Sequence, residues 1–281
     1  MKARVLSAVV IAVSLVAPRA ARAQILPVPG ARIVYGHHHL HVTDVAAHKK
    51  FWVEGLGATI GPKKLGPFDV LRINKTVILI QPTAPKAGGT KGSSVGHLGV
   101  EVPDMRAALA RLRAAGFPIV TRTELPPTMP VKDDILETGG LTVAFVMGPE
   151  ETLVELVENK TNPAVGNHHL HFATTAPDEM KAWYARTFGA KAAKLIARDV
   201  QEIPGVILMY TQAKEAPGTT KDRVLDHIGF EVKNLEAFCK ELEAAGVKLD
   251  MPYRQVLGLG VAFLTDPWGT VIELTEGLDQ Y

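Results

Sequence analysis

"VYGHHHLHVTD" (34–44) places four histidines within five positions, in a chain that has ten among 281 residues. "VGNHHLHFATT" (165–175) nearly repeats it, with "HHLH" displaced by 130 residues. The same offset relates "GHLGVEVPDMRAALARLRAAGF" (96–117) to "DHIGFEVKNLEAFCKELEAAGV" (226–247), and the loop "PKAGGTKGSSV" to "EAPGTTKDRVL". Self-similarity at one long period marks a duplicated structural unit. Two halves follow, 34–158 and 167–276, joined by "NKTNPAVG" (159–166), whose Pro, Gly and Asn are linker residues.

Each half divides again. His37–Val42 and His97–Val102 alternate as short strands, and each leads into a helical pattern, "DVAAHKKFWVEGLGA" and "DMRAALARLRAAGF". Asp44 and Asp104 are suited to cap these helices. Gly57, Gly116, Gly189 and Gly246 are suited to end helices in the two halves. Strand-like runs such as "TVILIQP", "LTVAFVMG", "GVAFLTD" and "GTVIELTE" come after. The unit is strand, helix, strands, repeated four times, an α+β plan with helices outside mixed sheets. The loops 82–96 and 212–226, rich in Gly, Thr, Lys and Pro, are expected to be mobile at a cavity mouth.

The first residues read as a secretory leader. Lys2 and Arg4 precede an apolar run from Val5 to Ala17, and Ala21-Arg22-Ala23 precedes Gln24. Cleavage after residue 23 would remove four basic residues and change the formal charge from +2 to −2. That leaves no basic footprint for nucleic acid and no membrane segment, so a secreted or periplasmic protein is expected. The lone Cys239 sits in a helical pattern and reads as a small core residue.

With "HIGFEVKNLEAFCKELEAAGV" followed by "VAFLTDPWGTVIEL" (261–274), the chain resembles the vicinal oxygen chelate superfamily of glyoxalases, bleomycin-resistance proteins and extradiol dioxygenases. The likeness spans about 34–276, with "GPEE" replacing the family's DPxG turn in the first half. It implies four βαβββ modules in two tandem glyoxalase-like domains, with mixed sheets curved around a cavity. It also implies a divalent metal (Fe, Mn, Zn or Ni), a small-molecule substrate, and a monomer or homodimer.

The resemblance carries ligand positions onto His37, His97 and His227 in first strands, and onto Glu155 and Glu273 in last strands. By the 130 offset, Asn167 falls where a fourth histidine is due. Two imidazoles and one carboxylate make a facial triad with open positions. If neighbouring modules pair, the sets are His37/His97/Glu155 and Asn167/His227/Glu273. If the halves exchange modules, they are His37/His227/Glu273 and Asn167/His97/Glu155. Short connections favour neighbours, and either pairing predicts one tight metal. Strand parity turns His38 and His168 away from the site. His39 and His169 face inward, where they can bind substrate, act as acid–base groups, or replace the ligand that Asn167 lacks.

Among the family's activities, a lyase, isomerase or dioxygenase type on a small oxygen-bearing substrate is expected. Glyoxalase I implies a carboxylate that "VILIQ" and "VILMY" do not offer. Extradiol cleavage implies a tyrosine where Phe145 and Phe263 stand. The other class is a metal-free binding protein of the bleomycin-resistance kind, whose cavity Trp52, Trp183, Tyr184 and Tyr210 could line, although Trp52, Trp183 and Tyr184 recur at helical positions that should pack on the sheet.

Overall fold

The structure, a computed structural model, describes residues 29–281. The leader expected at 1–23 lies outside the described residues. The four modules are all βαβββ. The first holds β1 (Ile33–His41), α1 (Val45–Lys49) continued by a π-helical stretch to Leu56, β2 (Thr59–Ile60), β3 (Asp69–Ile73) and β4 (Thr76–Gln81). The second holds β5 (Val95–Val102), α2 (Met105–Ala114), the short α3 (Thr121–Glu124), β6 (Leu136–Thr138), β7 (Leu141–Met147) and β8 (Leu153–Glu158). The third holds β9 (Gly166–Thr174), α4 (Pro177–Phe188), β10 (Lys191–Leu195), β11 (Arg198–Ile203) and β12 (Val206–Gln212). The fourth holds β13 (Leu225–Val232), α5 (Leu235–Ala244), β14 (Met251–Val256), β15 (Leu259–Thr265) and β16 (Val271–Glu276).

The local signals act as expected. Asp44 and Asp104 each accept a bond from the backbone N–H three residues on, both at 2.9 Å. Gly57 and Gly189 close their helices in the left-handed region, at φ 92° and 69°, where a Cβ costs energy.

The pairing of modules differs from expectation. One mixed sheet runs β14-β15-β16-β13-β1-β4-β3-β2, and the other β10-β11-β12-β9-β5-β8-β7-β6. The first module therefore shares a sheet with the fourth, and the second with the third. Sequential modules still touch, but through helices. Phe51 packs edge-on to Phe117 at 5.0 Å, and Gly55 lies against Leu112. In the second half, Tyr184 donates to Asp266 at 3.0 Å, and Phe188 meets Phe230 at 4.9 Å. The preference for short connections is thus met by helix packing, which leaves the sheets free to exchange partners. These helices and the outer faces of both sheets share one core, in which Trp52, Tyr184 and Phe230 are fully buried. Each such side chain contributes roughly 1.5–3 kcal/mol.

The loops 82–96 and 212–226 also depart from expectation, because they bind each other. Lys86 N–H donates to Asp222 at 2.8 Å, Gly218 N–H to Gly92 at 2.8 Å, and Val224 N–H to Gly88 at 3.0 Å. The Arg223 guanidinium donates to the carbonyls of Gly89 and Lys91. With no apolar stripe to dock them, the two crossovers satisfy their backbone groups as a seam between the sheets.

Candidate metal centres

The first constellation lies at the middle of the outer-module sheet. β1 carries an extra residue, Gly36, between Tyr35 and His37, and β13 carries an extra residue, Asp226, beside His227. Such bulges re-aim side chains. Between them His37 stands opposite Gly229, and His39 opposite His227. Nε2 of His37 lies 2.8 Å from Oε2 of Glu273 on β16, and Nε2 of His227 lies 3.0 Å from the same oxygen. The triad expected for exchanged modules is therefore brought together, with His39 at its side.

The second constellation corrects the reading of Asn167. β9 has its extra residue at His168, so His169, not Asn167, stands opposite Gly99 on β5. On its other edge His169 pairs with Ile207, as His37 pairs with Val77. In both respects His169 occupies the place of His37, and His171 the place of His39. The β1 and β9 strands are thus equivalent at an offset of 132, two residues beyond the repeat read from "HHLH". Asn167 turns away and donates through Nδ2 to the carbonyl of Gly205 at 2.9 Å. His169 Nε2 lies 3.3 Å from Glu155 Oε2 and 3.3 Å from His97 Nε2, while His97 Nε2 lies 3.0 Å from Glu155 Oε2. Among the described residues there are therefore two complete His-His-Glu sets instead of one.

Both sets fit a divalent cation. Adjacent ligands bound at about 2.1 Å stand roughly 3.0–3.4 Å apart; the distances above fall there except His37 to Glu273, which is shorter at 2.8 Å. The four donor atoms of each group all lie within 4.8 Å of one another. His39 and His171 spend Nε2 on Gln81 (3.0 Å) and Thr211 (2.7 Å), and their Nδ1 atoms are buried without a partner. An unpaired buried nitrogen costs about 1–3 kcal/mol, a cost that coordination by a cation removes. Gly229 and Gly99 make room for the ligating rings. A Cβ on Gly229 would fall 1.9 Å from Cε1 of His37, and one on Gly99 would fall 2.0 Å from Nδ1 of His169.

Burial opposes the charge on Glu155 and Glu273, yet the flanking imidazoles hold both carboxyls well below the usual range. His227 is also desolvated, but the carboxylates of Asp226 and Glu273 raise it to about 9. His97 lies below its ordinary value because burial outweighs Glu155. His38, fully buried against the Tyr35 hydroxyl at 2.6 Å, is pushed down to about 3 by desolvation and by His37.

The sets differ in what stands behind the ligands. His227 Nδ1 donates to Asp226 Oδ1 at 2.7 Å, a carboxylate support that fixes the tautomer with Nε2 free to bind a cation. The matching position in the second set is Gly96. There the support falls on the other histidine, because His168 Nδ1 lies 2.7 Å from His169 Nδ1. Nothing in the sequence repeat marks Asp226 or His168 for this supporting role, since the counterpart of Asp226 is Gly96. Asp226→Asn is expected to weaken cation binding at the first set by roughly 10–100-fold and leave the second unchanged. Competitive titration against a chromophoric chelator measures both.

A cavity of about 380 Å³ opens on the second set, lined by His97, Glu155, His169 and His171 and by apolar side chains including Leu136, Val143 and Met209. Phe145 packs edge-on to His97 at 5.5 Å and offers no hydrogen bond. In the first sheet the inner face carries an apolar cluster, on which the C-terminal Leu278 and Tyr281 pack. The aromatic residues that could have lined a metal-free cavity belong to the core, as the helical positions of Trp52, Trp183 and Tyr184 implied. Trp52 and Tyr184 are fully buried in the helix-covered core, with Trp183 and Tyr210 packed against it.

A family model, the Glyoxalase/Bleomycin resistance protein/Dioxygenase superfamily, matches residues 34–145 and 166–274. No curated protein matches the sequence closely enough to serve as a relative. Among solved structures, glyoxalase I from Zea mays superposes with a TM-score of 0.61 at 13% identity, covering 88% of this chain and 93% of that one. A Bacillus subtilis protein provisionally described as a dioxygenase gives 0.63 at 15%, covering 88% and 86%. At these identities the likeness is one of fold.

Proposed function

The chain belongs to the glyoxalase/bleomycin resistance protein/dioxygenase superfamily, and on that premise we propose that it is a divalent-metal-dependent enzyme acting on a small oxygen-bearing molecule. His37, His227 and Glu273 hold one cation, and His169, His97 and Glu155 a second, with His39 and His171 as the fourth donor of each group. A cation there supplies a Lewis acid that polarises a substrate carbonyl or hydroxyl oxygen. The observation that carries this reading is the slip of β9. The strand departs from the sequence repeat by two residues, and the same three donor types still converge a second time.

The chain's own groups favour lyase or isomerase chemistry over oxygen insertion. Glu124, a carboxylate on the cavity wall beyond the ligand set and oriented by Lys91 at 2.8 Å, is the group that would take a proton from bound substrate. Phe145 gives no donor to a peroxide or catecholate. The leader-like sequence of 1–23 supports export of this enzyme, and N-terminal sequencing of the mature protein should then begin at Gln24.

Metal analysis of untagged protein tests the reading. About two equivalents of a divalent ion per chain are expected, present as purified or taken up after dialysis. A chain that holds and takes up none would instead be a small-molecule binding protein.

A further inference from the structure

The cavity over the second set is apolar along most of its wall, but one cation reaches it. Arg198 opens β11 and lines the cavity beside Leu195. Among the described residues its guanidinium makes no hydrogen bond or ion pair. The carboxylates that line the cavity, Glu124 and Glu155, and the neighbouring lysines are already matched. Lys91 holds both carboxylate oxygens of Glu124, at 2.8 and 3.0 Å, and Lys194 is paired with Asp199 at 2.6 Å. Glu155 lies between its two histidines. The cavity therefore presents an apolar body, a ligand set at one side, and one unmatched positive charge.

Resting on the proposed reading of the His97/His169/Glu155 set as a cation site that reacts with substrate in this cavity, we propose that Arg198 selects the substrate, a small and mostly apolar molecule that carries an anionic group away from its reacting oxygens. The apolar wall takes the body. The guanidinium fork takes a carboxylate, sulfonate or phosphate in paired, charge-assisted bonds. A neutral analogue of equal size leaves Arg198 no worse placed than before, because the side chain is exposed to water in the free protein. It gains only the apolar contact. The difference between anion and neutral analogue is therefore the bond to Arg198, worth about tenfold or more in affinity.

Two fluorescent probes that differ by one sulfonate test this on the full chain. 8-Anilinonaphthalene-1-sulfonate should bind at least about tenfold more tightly than neutral N-phenyl-1-naphthylamine. Arg198→Leu should remove that preference and leave the neutral probe's affinity unchanged, and Arg198→Lys should restore part of it. Equal binding of the two probes, binding of neither, or a preference that survives in Arg198→Leu would overturn the proposal. Metal content measured on the same samples separates the two readings. A preference that depends on Arg198 in a chain that holds no metal keeps the anion site and sinks the metal-dependent reaction. Two bound metals with no preference do the reverse.

Discussion

Glu273→Ala is expected to hold one divalent ion where the unaltered chain holds two, and Glu155→Ala to hold the other one. The double variant should hold none. Each glutamate oxygen is the meeting point of two imidazoles, at 2.8 and 3.0 Å in the first set and 3.0 and 3.3 Å in the second. Removing it takes away the only anionic ligand and leaves two imidazoles facing each other. The loss should exceed the roughly 100-fold that follows removal of a supporting partner. Elemental analysis after gel filtration reads the stoichiometry directly. His37→Ala and His169→Ala should pair with Glu273→Ala and Glu155→Ala respectively. A chain with one metal, lost in His37→Ala and untouched in His169→Ala, would restore the reading in which Asn167 marks a defective site.

The second large effect comes from adding one methyl group. Gly229→Ala should empty the first set, and Gly99→Ala the second, while the fold persists. The new Cβ would sit about where the His37 or His169 ring lies, at 1.9 and 2.0 Å from ring atoms. The ring must rotate off its ligand position, at a cost to stability of about 1–3 kcal/mol for overpacking. Gly96→Ala is the control, since its Cβ would meet only the His171 carbonyl at 3.9 Å. Metal content and thermal melting together separate ligand displacement from unfolding. Full metal occupancy in both glycine variants would mean that the rings have another stable position within reach of the site.

The four modules were legible because each leaves a local mark. Alternating strands, Asp caps and helix-ending glycines are short-range signals, and all recur. The exchange of sheet partners left no such mark, because both pairings satisfy the same strands and differ only in which helices and sheets meet. His37, His97, His227, Glu155 and Glu273 could be placed from family positions. The role of His169 stayed open in the sequence, because "HHLH" at 38–41 repeats as "HHLH" at 168–171. Yet the correcting signal was present. Gly116 and Gly246 are 130 apart, whereas Gly57 and Gly189 are 132 apart. Helix ends in one pair of modules were already out of step with the histidines. The glycine two residues after His97 and after His227 was a second signal, since a strand gains nothing from glycine unless something must lie over it. Arg198 and Glu124 come from segments without a repeat partner of like chemistry, so no comparison of halves could find them.

The exchanged pairing also sets an order of events in the ribosome's output. The sheet of the inner modules is drawn from one unbroken stretch, β5 to β12, and every strand it needs has been made once residue 212 has emerged. The outer sheet needs β1 to wait for β13, nearly two hundred residues later in the chain. Until then β1 has only β4 as a neighbour, and its histidine-bearing edge is unpaired. The inner sheet can close during synthesis, and the seam between the two crossovers then shortens the loop that must be closed to join β1 to β13. Refolding from denaturant should therefore recover the metal-binding set of the inner sheet before that of the outer one.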